Sequence, residues 1–96
     1  MQIARPPNGF HIEEMPAVSA LIASKSRTFQ RLPDFWLAIK DRLSMTGHRE
    51  GLPLPRGKAG WRLFVEEGAA DVGLPRVKVV YRALGETLTI YMIAIG

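Results

Sequence analysis

The sequence predicts a single α+β domain, ordered strand, helix, helix, strand, strand, strand, with two helices packed on one face of a twisted antiparallel sheet. Three observations carry this reading. The last third holds three strand-like runs, Trp61-Arg62-Leu63-Phe64-Val65, Val77-Lys78-Val79-Val80-Tyr81-Arg82 and Leu88-Thr89-Ile90-Tyr91-Met92-Ile93, rich in β-branched and aromatic residues. The middle places Leu32, Phe35, Trp36, Ile39 and Leu43 at helical spacing. At 96 residues the chain can close one core, and an antiparallel sheet of this length has none until helices bury one of its sides.

Residues 1–9 contain Pro6-Pro7-Asn8-Gly9 and read as a flexible arm; residues 10–96 read as the domain. Phe10-His11-Ile12-Glu13-Glu14 alternates apolar and polar, as a half-buried strand does. Met15-Pro16 ends it, and Pro16 suits the first turn of a helix whose buried stripe is Val18, Leu21 and Ile22. The second helix either starts at Pro33-Asp34 or continues a kinked helical turn from Ser26, and Gly47 follows its end. Residues 47–60, with four glycines and two prolines, read as a linker into the sheet. Within the meander, residues 67–75 are too long for a tight hairpin and read as a mobile projecting loop. Leu84-Gly85-Glu86 is a short turn that sets the register of the last two strands.

Alternation along the strands then assigns sides. Trp61, Leu63, Val65, Val77, Val79, Tyr81, Leu88, Ile90 and Met92 are expected to face the helices. Arg62, Phe64, Lys78, Val80, Arg82, Thr89, Tyr91 and Ile93 are expected on the other side. That open side is cationic, aromatic and partly apolar, so a ligand, a partner chain or the N-terminal arm is expected to cover it.

Thirteen Lys and Arg against nine Asp and Glu give a net charge of +4 and a pI near 10.0, which favours a nucleic acid, an anionic lipid or an acidic protein as partner. Cysteine is absent, which removes disulfides, thiolate metal sites and a cysteine nucleophile. Nothing near the N-terminus reads as a signal peptide and no segment is apolar enough to span a membrane, so a soluble cytoplasmic protein is expected. His11 and His48 lie on separate elements and Glu13-Glu14 point to opposite sides of a strand, so neither a metal site nor another cofactor is expected. The glycines around Arg56 and Lys58 lack phosphate-loop spacing. Cations set among aromatics on a rigid sheet suit RNA, because ammonium and guanidinium groups take phosphates while rings stack on bases.

The order of elements and the C-terminal third resemble the RelE and ParE superfamily of type II toxin-antitoxin toxins. The resemblance is carried by Lys78-Val79-Val80-Tyr81-Arg82, the Gly85-Glu86 turn and the aliphatic run from Leu88 to the last residue, Gly96. It implies a cognate antitoxin as partner and, for RelE-like members, binding and cleavage of messenger RNA on the ribosome. For ParE-like members it implies inhibition of DNA gyrase without nuclease chemistry; a non-toxic interaction module on the same fold is a third reading. Arg62 falls where the family often carries a basic residue on the second strand, and Lys78 where it usually carries an arginine on the third. Ribonuclease members also carry a basic tail after the last strand, supplying an arginine and a tyrosine, with no counterpart in this sequence.

Metal-free cleavage of RNA needs a base for the 2'-hydroxyl, cations for the phosphorane and an acid for the leaving oxygen, with the proton-transfer roles each contributing about 10²- to 10⁴-fold. Candidates for this chemistry are Arg62 and Lys78 at the phosphate and His48 or Tyr91 as base, with Arg56, Lys58 and Arg82 positioning the strand. The structural rival gives Arg62, Lys78 and Arg82 a solvated sheet face with weak salt bridges to Glu66 or Glu86.

Overall fold

The computed structural model describes residues 6–54 and 59–96. Its elements are β1 (His11–Glu14), α1 (Pro16–Lys25), α2 (Leu32–Thr46), β2 (Leu52–Pro53), β3 (Trp61–Glu66), β4 (Val77–Leu84) and β5 (Thr87–Ile95), with a short 3-10 turn over Ala70–Val72. One five-stranded sheet runs in the order β1-β5-β4-β3-β2.

Local chemistry accounts for the helices. Pro16 opens α1, Val18 and Ile22 lie one turn apart on its buried stripe, and the Ser26 hydroxyl closes the last turn on the Ile22 carbonyl at 2.6 Å. Of the two starts open for the second helix, the chain uses the later one. A turn after Ser26 separates the helices, and α2 begins at Leu32 with Pro33 and Asp34 in its first turn, where a missing N–H costs nothing and a carboxylate meets the positive end of the helix dipole. Gly47 ends α2 because of space rather than dihedral angle: a β-carbon there would lie 2.3 Å from Leu88 Cδ1.

The helical pair carries the chain from β1 at one edge of the sheet to β2 at the other, and the remaining strands return it beside β1. The expected all-antiparallel sheet is corrected accordingly. β1 runs parallel to β5, with His11 opposite Thr87 and Glu14 opposite Ile90, because no hairpin joins these strands to impose a reversal. The expected linker also contains β2, which pairs Leu52 with Leu63 and Pro53 with Arg62. The loop at residues 67–75 is internally organised, closed by a bridge between Ala69 and Leu74 around the 3-10 turn.

Both helices cover one side of the sheet. Val18, Ile22, Leu32, Trp36, Ile39 and Leu43 pack there against Phe64, Val77, Val79, Tyr81, Ala83, Leu88 and Ile90. Polar groups on this side pair internally: Glu14 accepts from Trp36 Nε1 at 3.1 Å and from Lys40 Nζ at 2.9 Å, tying β1 to α2.

The expected sides are wrong for β3 and for the end of β5. Phe64 pairs with Val79 and is buried, so Arg62, Phe64 and Glu66 face the helices while Trp61, Leu63 and Val65 face away. Both phases of β3 are apolar, and near the sheet edge a single large ring, with the Arg42 guanidinium of α2 5.1 Å from its centre, fills the space under the helix. In β5 a bulge breaks the alternation. Val80 pairs with Met92 and Tyr81 with Ile90, leaving Tyr91 as an extra residue. Beyond it Met92 turns outward, 65% exposed, while Ile93 and Ile95 pack partly against the core.

Candidate functional site

The uncovered side of the sheet is built from cross-strand neighbours. Trp61, Arg82 and Thr89 form one row, Leu63, Val80 and Met92 the next, and Val65, Lys78 and Ala94 the third. Leu52 extends the middle row on β2. The bulge puts Tyr91 on this side as well, where its ring meets Trp61 with centroids 4.7 Å apart and planes inclined by 35°. The Arg82 guanidinium lies 5.9 Å from the Trp61 ring centre, and Arg82 Nε donates to the Ala59 carbonyl at 3.1 Å. A cation, an indole and a phenol therefore share one patch, with the arginine held in place from behind. Leu63, Lys78, Val80, Met92, Ile93 and Ala94 line a shallow depression of about 150 Å³ beside it.

Lys78 is exposed, and among the described residues neither Lys78 nor Arg82 takes part in an ion pair. The salt bridges of the structural rival are thus not formed by these two residues. Glu66 instead accepts from Arg42 at 3.2 Å, on the helix side.

Arg62 lies on the opposite side from Lys78, which corrects the shared face expected for them. Opposite the buried Tyr81, it turns to the loop after α2 and donates to the carbonyls of Glu50 at 2.5 Å and Gly51 at 3.2 Å. The Tyr81 hydroxyl donates to the Gly47 carbonyl at 2.6 Å and lies 3.2 Å from that of Glu50. Gly51 holds φ at +62°, and a β-carbon there would come within 2.0 Å of the Leu63 carbonyl, so the loop can lie this close to β3 only with glycine. The Glu50 carboxylate meets Arg42 and accepts from the Thr46 hydroxyl at 3.0 Å. Its hydrogen bond to Arg42 holds that guanidinium above its ordinary range. Burial pushes the Tyr81 phenol up to about 12, partly offset by the nearby Arg62 charge. Together these groups form a clamp that fixes the α2 to β2 connection.

His48 belongs to the same connection and packs its ring on Phe10, 6.1 Å between centroids, on the helix side. The four candidate catalytic residues are therefore divided by the sheet: Lys78 and Tyr91 on the open side, Arg62 and His48 on the covered one. No single phosphate can touch all four. Of the positioning cations, Arg82 is on the open side, and Arg56 and Lys58 lie outside the described residues.

Trp61 and Met92 are additions to the candidate set that alternation had turned inward. Among the described residues there is no group of three or more His, Cys, Asp or Glu side chains able to hold a metal ion, and no helix long and apolar enough to cross a membrane. No family model, curated protein or solved structure matches the chain.

Proposed function

We propose that this chain is a toxin-like binding protein that takes single-stranded RNA on the helix-free side of its sheet and holds it without cutting it. The observation that carries the reading is the grouping of Arg82, Trp61 and Tyr91 with the exposed Lys78, which makes no ion pair among the described residues, on one side of the sheet. Lys78 and Arg82 take backbone phosphates, and a base stacks at the edge of the indole and phenol, a contact worth about 1–3 kcal/mol per base. Binding without cleavage is supported by the separation of the base candidate His48 and the cation Arg62 from this patch, which keeps Tyr91 as its base candidate beside Lys78 and Arg82. In the setting implied by the RelE-like resemblance, the RNA is ribosome-associated messenger and an antitoxin is the cognate partner.

The test is a titration with short oligouridylate in a Trp36→Phe background, which leaves Trp61 as the reporting indole. The reading predicts quenched Trp61 fluorescence, a logarithmic affinity falling with logarithmic salt at a slope of about −1.4 for two phosphate contacts, and RNA of unchanged length on a gel. Unquenched fluorescence at saturating RNA contradicts binding, and shortened RNA contradicts the absence of cleavage.

A second reading, a protein target in the manner of ParE and DNA gyrase, is favoured by one specific observation. Leu52, Met92 and Leu84 expose 71%, 65% and 45% of their surface, and Leu52 and Met92 flank the middle row of the open side. Induced expression with labelled precursors separates the two: protein synthesis falls first on the RNA reading, DNA synthesis first on the gyrase reading.

A further inference from the structure

The two edges of β5 are used unequally along its length. On one side it pairs with β4 from Thr87 to Ile95; on the other, β1 pairs only as far as Ile90, where the Met15 N–H donates to the Ile90 carbonyl and the chain turns into α1. Beyond the bulge the ladder to β4 uses alternate residues, as the bond from the Gly96 N–H to the Arg76 carbonyl shows, so the backbone groups of Ile93 and Ile95 point away from β4. Among the described residues no strand pairs with this edge. A groove of about 180 Å³ runs beside it, lined by Ala17, Val18, Leu21, Tyr91, Met92 and Ile93.

Charge is arranged to match. On the open side Lys78 stands opposite Ala94, and Arg76, whose backbone carbonyl accepts from the Gly96 N–H, holds an exposed ion pair with Glu67 at 3.3 Å. Ala94 and Gly96 are the smallest side chains of the C-terminal run, and a second shallow depression is lined by Arg76, Lys78, Ala94, Ile95 and Gly96. With so little side chain on β5 between it and the edge, Lys78 can reach across to a strand laid alongside β5, and Arg76 can do so by exchanging the exposed Glu67 carboxylate for one on that strand. Backbone groups that no strand pairs among the described residues, an apolar groove toward α1, the Lys78 ammonium on the opposite side and the exposed Arg76 at the strand end define complementary features for one kind of ligand.

We propose that the β5 edge at residues 93–95 accepts an extended, acidic segment of a partner protein as an added strand. The segment alternates apolar residues, which enter the groove beside α1, with carboxylates, which meet Lys78 and Arg76. This inference rests on the edge and its cations and stands whether or not RNA binds the open side.

The probe is a synthetic peptide of alternating valine and glutamate, titrated to millimolar concentration while amide exchange is followed by NMR. Protection of the Ile93 and Ile95 amides is expected, with no binding by the valine and lysine counterpart. Ile95→Pro removes an N–H that the β4 ladder does not use, at an edge where proline is tolerated, and is expected to abolish peptide binding while leaving oligouridylate binding in place. Lys78→Glu, at an exposed position, is expected to weaken the peptide about tenfold, as loss of one charge-assisted contact does. Absence of protection, protection confined to other strands, undiminished binding by Ile95→Pro, or pairing of the edge with a second copy of the chain would each overturn the proposal.

Discussion

The two sides of this sheet use similar residues for opposite purposes. On the covered side Arg62, Arg42, Glu14, Glu50 and Tyr81 turn toward other parts of the same chain and hold helices and a loop in position. On the open side Lys78 makes no ion pair among the described residues, and Arg82, tethered through one nitrogen, stands over Trp61 beside Tyr91. Arg62 and Arg82 are both strand arginines bonded to a loop carbonyl. What separates them is side: two carbonyl contacts under the helices make one a strut, and an aromatic neighbour away from the helices makes the other a contact surface.

If the sides differ in this way, substitutions on the covered side should cost stability, and those on the open side should cost binding. Phe64→Ala should give the largest loss, about 3–5 kcal/mol by denaturant unfolding. Met92→Ala should stay within about 0.5 kcal/mol, since its side chain is largely in water already. Tyr81→Phe should cost about 1–3 kcal/mol by leaving the Gly47 carbonyl without its donor, while the Glu50 carbonyl keeps the bond from Arg62.

The Tyr81 phenol also gives the contrast a pH signature. Its folded-state value, near 12, lies above the ordinary tyrosine value of about 10, so the unfolded chain loses this proton first. The stabilisation is therefore complete below pH of about 10 and is lost as pH rises toward about 12. A chemical-denaturation series across that range should show stability falling in the parent and a flatter profile in Tyr81→Phe.

Arg62→Ala should cost about 1 kcal/mol, because its two carbonyl contacts lie at the partly exposed rim of the covered side. Lys78→Ala should have the smallest effect on stability, within about 0.5 kcal/mol, while lowering the salt slope of RNA binding by about 0.7. A large stability loss in Lys78→Ala would break the contrast from the open side, and a neutral Phe64→Ala would break it from the covered side.

The helices were legible because their signal is redundant: Leu32, Trp36, Ile39 and Leu43 repeat at the expected spacing, Phe35 packs against the same core, and each helix has a proline in its first turn. The inward set of β4 was legible for the same reason, since Val77, Val79 and Tyr81 alternate with Lys78, Val80 and Arg82, two of which are charged. β3 was not, because Trp61, Leu63 and Val65 form a more apolar phase than Phe64 does, and only the reach of α2 decides which phase is covered. Nor was the end of β5, where the extra residue at Tyr91 exchanges Met92 and Ile93 without any glycine or proline to announce it. The shared side expected for Arg62 and Lys78 followed from the wrong phase of β3. The clamp around Glu50 could not be read at all, since its acceptors are backbone carbonyls brought together only by the fold. The parallel placement of β1 depends likewise on the path of the helical connection rather than on β1's own residues.

The most direct test of the central claim compares Arg82→Ala with Arg62→Ala in oligouridylate binding, by fluorescence anisotropy at one fixed salt concentration, with both variants confirmed folded. Binding on the helix-free side predicts about tenfold weaker affinity for Arg82→Ala, as one stacked, charge-bearing contact is lost, and unchanged affinity for Arg62→Ala. Weakened binding by Arg62→Ala with Arg82→Ala unaffected would place the RNA on the other side of the sheet and contradict it.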